Sequence, residues 1–271
     1  MTITTRDQLI DALANNSSRV VIDKSSLGST VAGQIFSLWP TTGTPAAGSA
    51  PSTAVVPTNA TTGALGFANQ TAPATSYLAW LSLLNANAQA TIEIHDRLAH
   101  MGGLSGTVTT AQGALSLVTT DPGADRRGDA NYSDVQWWLE IHTALGATGV
   151  NATVNVTYDD NSTGNLNAIA LGGTPRQGRM YPLQSAVAGR FIKAVNSVTL
   201  SATTGTAGNF GITATRQRTV MGTFVANKIE TADWAQLGLP EIPNDSCLFM
   251  VMYCTTTSTG VIRGQGKIAH G

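Results

Sequence analysis

The sequence predicts an all-β protein built as a β-sandwich of jelly-roll type, and three observations indicate this class. Apolar and polar residues alternate in several short runs, of which 135–158 is the clearest. Such runs recur about every 10 to 15 residues, with turn residues between them. The 271-residue chain is only 11% charged, so Thr, Ser, Asn, Gly and Ala fill the deficit. This composition suits sheets and turns better than long exposed helices.

We expect a single domain overall, in which residues 1–75 form an N-terminal helix and an extended arm and residues 76–271 form the sandwich body. Thr5 followed by Gln8 has the form of a capping box and predicts a short helix directly behind it. A second short helix is expected near the other end of the chain, with Thr231 as its N-cap.

The arm, residues 40–73, carries no charge and has a proline every few residues, so regular structure cannot persist in it. Val55, Val56, Leu65 and Phe67 are apolar anchors that a disordered linker would not need. We therefore expect an extended Gly/Pro/Ala-rich segment that lies across a surface, either its own or that of a neighbouring subunit.

Four antiparallel hairpins are expected in the body, because strand-like runs follow one another with turn residues between them. The expected pairs are 77–84 with 91–98, 135–142 with 150–158, 191–202 with 210–218, and 247–254 with 260–268. In the second pair each strand has an apolar and a polar side. Trp137 and Trp138 point to opposite sides, so the outer face is also expected to meet an apolar surface.

Charge and cysteine content exclude several classes of protein. The net charge of −1 gives no long-range attraction for nucleic acid or for an anionic membrane. Cys247 and Cys254 would be more than about 20 Å apart on one extended strand, so we expect two buried free thiols. No run is long enough to span a membrane, and the N-terminus lacks the layout of a secretion signal, so we expect synthesis in a cytoplasm.

The strongest metal hypothesis comes from two E-I-H triplets. Glu93 with His95, and Glu140 with His142, each share a strand face, and if the strands were neighbours the four side chains could surround a divalent ion. The alternative, which we favour, places these residues on the wet face of strands whose isoleucines point inward. Whether the four lie close together does not follow from the sequence.

Other chemical motifs are absent or degraded. No G-x-S-x-G nucleophile elbow occurs. Gly205, Gly208 and Gly211 precede a strand, not a helix, so they predict a turn and not a phosphate loop. The acidic loop 121–134 lacks the order of a calcium loop and contains two arginines, so a solvated, salt-bridged loop is expected. We therefore expect no enzyme and no catalytic, cofactor-binding or metal-binding residues.

Several short motifs follow one another in a recognisable order between residues 33 and 218. They are Ser37-Leu38-Trp39, Thr62-Gly63-Ala64-Leu65, Asp96-Arg97-Leu98, GLSGTVTTAQ from Gly103, Trp137-Trp138-Leu139-Glu140, TALGAT from Thr143, Gly178-Arg179-Met180, and SATTGTAGNFG from Ser201. In this order they resemble a family of virion structural proteins of tailed bacteriophages. The resemblance implies a particle component, present in many copies and made in the infected bacterium, without fixing head or tail.

Three functions are consistent with these observations. The first is a capsid decoration or cement protein that binds the major capsid protein and copies of itself, with a trimer preferred, and its helix and arm would reach over neighbouring subunits. The second is a tail component, such as a tube, terminator or tip protein. The third is a carbohydrate-binding or hydrolytic sandwich acting on the host surface, with a groove lined by Trp138 or Trp80 and paired carboxylates.

Overall fold

The computed structural model describes residues 2–87 and 89–271, and these form three short helices and seventeen strands. The predicted all-β, sandwich-like class with a short N-terminal helix and an extended arm is confirmed. The helices are α1 (Arg6–Asn15), α2 (Ala124–Arg127) and α3 (Trp234–Leu237). None of the helices in the described part of the chain is long and apolar enough to cross a membrane.

The strands, in chain order, are β1 (Ser17–Lys24), β2 (Ile35–Ser37), β3 (Gly43–Thr44), β4 (Ser76–Asn85), β5 (Ala90–Leu104), β6 (Leu115–Ser116), β7 (Gln136–Thr143), β8 (Val150–Tyr158), β9 (Thr163–Asn165), β10 (Ile169–Gly172), β11 (Arg179–Leu183), β12 (Ile192–Leu200), β13 (Asn209–Thr223), β14 (Ile229–Asp233), β15 (Glu241–Ile242), β16 (Leu248–Tyr253) and β17 (Ile262–His270).

The chain divides into two compact units. Unit 2 comprises Ala50–Val56 and Arg97–Arg216, and unit 1 comprises the remaining residues. The long strands β5 and β13 therefore each contribute one part to unit 1 and the other part to unit 2. The division into an arm region, 1–75, and a body, 76–271, stays a prediction.

Unit 1 is built from two layers. One is a six-stranded sheet in the order β14-β4-β17-β1-β3, with β15 added beside β4. The other is formed by β16, which pairs with β2 on one side and with the first part of β5 on the other. Apolar side chains of both layers meet in one core that includes Ile22, Leu81, Ile94 and Met250. Burying such side chains is the main stabilising term of the unit.

Unit 2 repeats this plan with different strands. One layer has the order β10-β8-β12-β6, with β9 beside β8. In the other layer β7 pairs with β11 and with the first part of β13. The alternation expected for β8 is confirmed, because Val150, Ala152, Val154 and Val156 are buried and the residues between them are not. The four buried side chains belong to the same core as Leu139 of β7.

The four expected hairpins are wrong. β4 and β5, β7 and β8, β12 and β13, and β16 and β17 belong to different sheets, so each connection is an arch between layers and not a hairpin within one. A period of two shows which face of a strand is buried, but it does not identify the strand's partner. β8 and β9 are an example of sequence neighbours that do pair. Jelly-roll connectivity stays a prediction.

The arm lies on its own chain. In unit 1 the Leu65 amide donates a hydrogen bond to the Leu248 carbonyl at 2.8 Å, and the buried ammonium of Lys24 donates to the carbonyls of Thr41 and Pro45 at 2.6 and 2.9 Å. In unit 2 Val55 and His100 exchange two backbone hydrogen bonds of 3.0 Å. Of the two surfaces expected for the arm, its own is the one that the structure shows.

Predictions of the helices and of the cysteine environments were more accurate than predictions of strand pairing. The Thr5 capping box at the start of α1 is confirmed. α3 forms where the second helix was expected, but its N-cap is Asp233 and not Thr231. Cys247 and Cys254 are free and buried, as predicted.

Candidate metal centre

Three side chains with metal-binding chemistry meet inside unit 2: His100 from β5, and Glu140 and His142 from β7. Glu140 and His142 are two residues apart on one strand and therefore share a face. The ligand atoms of the three residues all lie within 4.8 Å of one another. Among the residues that the structure describes, no other set of three His, Cys, Asp or Glu side chains comes this close. We call these residues the His-Glu-His cluster.

A glycine on β13 allows β5, which carries His100, to pass close beside β13. Gly211 on β13 lies opposite Glu140 in the β7–β13 pairing. A Cβ atom at Gly211 would stand 1.7 Å from the Met101 carbonyl oxygen of β5, which no side chain could tolerate. The same Met101 carbonyl accepts a hydrogen bond from the His142 ring. The close passage of β5 therefore also orients one histidine of the cluster.

Glu140 is fixed by a buried ion pair. Arg97 Nη1 donates to Glu140 Oε2 at 2.7 Å, and Arg97 Nη2 donates to Oε1 at 3.2 Å. The Thr213 hydroxyl donates to Oε2 at 2.6 Å and accepts from Arg97 Nη1 at 3.0 Å. All three residues are fully buried. Such a two-bonded guanidinium–carboxylate pair holds the carboxylate in one orientation.

The pair also sets the charge of the site. Burial by itself would raise the pKa of Glu140, but the charge and hydrogen bonds of Arg97, together with the two histidines, outweigh it and hold that pKa well below its usual range. Glu140 is therefore ionised at neutral pH, and its charge cancels that of Arg97.

Both histidines are neutral at pH 7. Burial lowers the pKa of His100 well below 6.5, and the Arg97 charge lowers it further, against an opposing effect of Glu140. Burial likewise lowers the pKa of His142, although Glu140 opposes the change. Neutral imidazole is the form that binds metal ions.

We expect the free energy of unfolding to fall as the pH drops below about 6.5, where these histidines bind protons in the unfolded chain before they do in the folded one. Each histidine adds a slope of at most about 1.4 kcal/mol per pH unit, until the pH reaches its folded-state pKa. Urea denaturation between pH 8 and pH 5 measures this slope. The variant His142→Gln should lose part of it, and an unchanged slope in this variant would contradict the assignment.

The wet-face interpretation of the E-I-H triplets is wrong. Glu93, His95 and Glu140 are buried, and His142 is half-buried. His95 Nε2 and Glu93 Oε2 lie 2.8 Å apart and form a pair in unit 1, whereas Glu140 and His142 belong to unit 2. The cluster around Glu140 contains His100, which the sequence did not indicate. The expected strand ended at residue 98, but β5 continues to residue 104 and so includes His100.

The acidic loop is only partly as expected. It forms the ion pairs Arg127–Asp121 and Arg216–Asp134, which confirms a salt-bridged segment. It is not wholly solvated, however, because Arg126 is only 2% exposed and donates a hydrogen bond to the Arg97 carbonyl at 2.9 Å. The loop thereby supports the backbone of the residue that holds Glu140.

The tryptophans proposed for a sugar groove lie in different environments. Trp138 is buried, and its indole donates to the Thr215 hydroxyl at 2.8 Å, so it cannot line a groove. Trp80 is half-buried and lines an open depression of about 450 Å³ together with Trp234. The depression's lining includes one carboxylate, Asp233, which already accepts hydrogen bonds from backbone amides at the start of α3.

Fold and site together define an all-β protein of two sandwich-like units, one of which encloses a histidine–carboxylate cluster. No protein-family model and no curated protein matches the sequence. Solved structures that are similar to it come from viral particles. The structure of the infectious bursal disease virus Gt strain aligns with 94% of this chain and 80% of the viral chain, at 9% identity and a TM-score of 0.20. The T=1 particles derived from that virus, and its VP2 subviral particle, align with 94% of this chain and 77% and 79% of theirs, each at 9% identity and a TM-score of 0.17. TM-scores of this size lie below those of a shared fold.

Proposed function

We propose that this protein is a non-enzymatic structural component of a virion, and specifically a decoration or cement protein of a bacteriophage head. It would stabilise the shell by contacts with the major capsid protein and with copies of itself, most simply as a trimer. The order of short motifs along the chain supports a tailed-phage virion protein. An exposed apolar surface at a sheet edge is the structural observation that carries the proposal.

This surface, which we call the apolar edge, consists of Val220, Phe224, Val225 and Ile229 in unit 1. Their exposed fractions are 47%, 67%, 52% and 62%. Val220 lies near the end of β13, and Phe224 and Val225 lie in the connection that follows it. Ile229 begins β14, the last strand of the six-stranded sheet, which pairs with β4 on its inner side. Sheet edges offer backbone groups for pairing, and clustered exposed apolar side chains mark association sites. The apolar edge is therefore suited to being covered by another subunit.

The composition of the surface favours the same function. Only 11% of residues are charged, and charge is what normally keeps protein surfaces apart. A chain with so few charges can be packed into a lattice at little desolvation cost. In a shell each weak contact is repeated many times, so modest apolar patches give high overall stability. With a net charge of −1, direct binding of nucleic acid is not expected.

Replacing the two most exposed residues of the apolar edge tests this proposal. We expect Phe224→Ser/Ile229→Ser to weaken self-association by about 100-fold or more, because each large apolar side chain contributes about 1.5 to 3 kcal/mol when buried. Sedimentation velocity over a range of concentrations measures the effect. Val118→Ser/Val187→Ser is the matched control, since both valines are exposed, at 58% and 46%, but lie in unit 2. Monomers at every concentration for all three proteins would count against the proposal.

A density map of the intact virion distinguishes head from tail. We expect many copies on the outside of the head shell, with the apolar edge in contact with a neighbouring subunit. Copies along the tail would support a tube, terminator or tip component instead, and a tube subunit should also form rings by itself. Absence of the chain from the particle would refute a structural role.

A carbohydrate-binding role is a second candidate because of the depression that contains Trp80 and Trp234. Indole faces stack on sugar rings, and Arg19, Gln265 and Lys267 are polar lining residues that could bind hydroxyl groups. Binding of the isolated protein to host-surface glycans, lost in Trp80→Ala, would favour this function over cement activity.

A further inference from the structure

We propose that His100 and His142 bind one divalent transition-metal ion of the Zn²⁺ type, with Glu140 holding a water molecule on that ion. The site would join β5 to β7 within unit 2. This inference does not depend on the proposed virion function, and it departs from the expectation that the chain has no metal-binding residues.

The distance between the two imidazoles is the first argument. His100 Nε2 and His142 Nε2 lie 3.4 Å apart. Two nitrogens bound to one ion at about 2.05 Å, and separated by the tetrahedral angle, stand about 3.3 Å apart. The pair could therefore accept the ion with almost no movement. As a direct hydrogen bond, by contrast, 3.4 Å exceeds the usual range of about 2.7 to 3.2 Å.

The support around the ligands is the second argument. Metal-binding histidines commonly donate their other ring N–H to a carbonyl or carboxylate, which fixes the ring. The His142 ring is hydrogen-bonded to the Met101 carbonyl, whose position depends on the close approach of β5 to Gly211. His100 is held by its own backbone, which exchanges two hydrogen bonds with Val55 of the arm. The fold thus positions the His142 ring and the backbone that carries His100.

Glu140 is suited to contact the ion through a bound water molecule and not directly. Its ligand atom lies within 4.8 Å of both nitrogens, so the carboxylate is near the ion, but its oxygens already accept hydrogen bonds from Arg97 and Thr213. Arg97 and Thr213 also keep the carboxylate in place. Oε1 accepts only the longer Arg97 bond, of 3.2 Å, so it can take a second hydrogen bond from a metal-bound water.

The donor set selects the kind of ion. Ca²⁺ and Mg²⁺ require mainly oxygen ligands, whereas imidazole nitrogen suits Zn²⁺ and its neighbours in the first transition row. The negative charge of Glu140 offsets that of Arg97, so the ion does not face an uncompensated guanidinium. His142 is half-buried and lies beside Gly102, where an added Cβ atom would be 3.1 Å from the His142 ring and 3.0 Å from Ala50 of the arm. Arm residues thus border the cluster next to His142, its half-buried ligand.

Zinc titration of the full-length protein, after treatment with EDTA and dialysis, tests the inference. Isothermal calorimetry should give one Zn²⁺ per chain with a Kd of about 1 µM or tighter, and the thermal midpoint should rise with Zn²⁺ but not with Ca²⁺ or Mg²⁺. His142→Gln should weaken binding by at least about 10- to 100-fold. The matched controls His95→Gln and His270→Gln, which change the two remaining histidines of the chain, should leave the Kd unchanged.

Three results would overturn the inference: no Zn²⁺ binding by the folded wild-type protein at 100 equivalents, equal binding by wild type and His142→Gln, or loss of binding in a control variant that is folded. Because His100 is buried, His100→Gln could fail to fold, so a second measurement uses the wild-type chain alone. Co²⁺ bound at the site should give the visible absorption of a tetrahedral ion with nitrogen ligands, and Zn²⁺ should displace it. An octahedral Co²⁺ spectrum would contradict the proposed geometry.

Discussion

Replacing Glu140 with Gln is expected to destabilise the protein by about 3–5 kcal/mol, because the variant leaves the guanidinium of Arg97 buried without a counter-charge. Glu140 and Arg97 are both fully buried, and the carboxylate accepts three hydrogen bonds from Arg97 and Thr213. A buried charge that loses its partner cannot recover its hydration. Urea denaturation at pH 7.5 measures the change in the free energy of unfolding.

Two further variants show whether the charge is the cause. Glu230→Gln removes the carboxylate of an exposed ion pair with Lys228, whose side chain is 61% exposed, and should cost less than about 1 kcal/mol. Arg97→Met/Glu140→Met removes both charges at the buried site, so it should be clearly more stable than Glu140→Gln alone. A double variant that is less stable than the single one would show that hydrogen-bond geometry, not charge balance, dominates this site.

The sequence was informative about local structure. Residue patterns at Thr5 and around residues 231–238 predicted two of the three helices in the described chain, because capping depends on contacts within a few residues. Alternation in β8 predicted its buried face, since that depends only on the strand's own geometry. The two buried thiols followed from an apolar run.

Strand pairing could not be predicted in this way, because it depends on contacts between parts of the chain that are far apart in sequence. A turn-rich connection is compatible with a hairpin in one sheet and with an arch to the facing sheet, and the sequence of the turn does not decide between them. At β7 and β8 the choice is made by packing, since each strand places apolar side chains in the same core from opposite layers. The period-two pattern is identical in both arrangements.

The sequence indicated only part of the candidate metal centre. The pattern at Glu140 and His142 indicated one strand's contribution, but Glu93 and His95 were chosen as the partner because their triplet looked the same. The actual partner, His100, follows Arg97 on the same strand, beyond the predicted strand end. Arg97 and Glu140 are 43 residues apart in the chain, and no local rule links them. Burial of these charges reflects tertiary contacts alone.

Gly211→Ala is expected to destabilise the protein by more than about 3 kcal/mol, or to prevent its folding, although it adds only one methyl group. The new Cβ atom would stand 1.7 Å from the Met101 carbonyl oxygen and 2.6 Å from the Gly102 Cα atom. Both are backbone atoms, so β5 itself would have to move away from β13 by more than 1 Å, and interiors of this density do not absorb such shifts.

The matched control is Gly66→Ala, since a Cβ atom at Gly66 meets nothing within 4 Å. Its effect should be within about 0.5 kcal/mol. If Gly211→Ala folds, the displaced Met101 carbonyl should also release the His142 ring, so Zn²⁺ affinity should fall together with stability. A Gly211→Ala protein as stable as Gly66→Ala would mean that β5 and β13 are not packed this closely. The described geometry of the His-Glu-His cluster would then also be wrong, because the same close packing of β5 on β13 places Met101 beside His142.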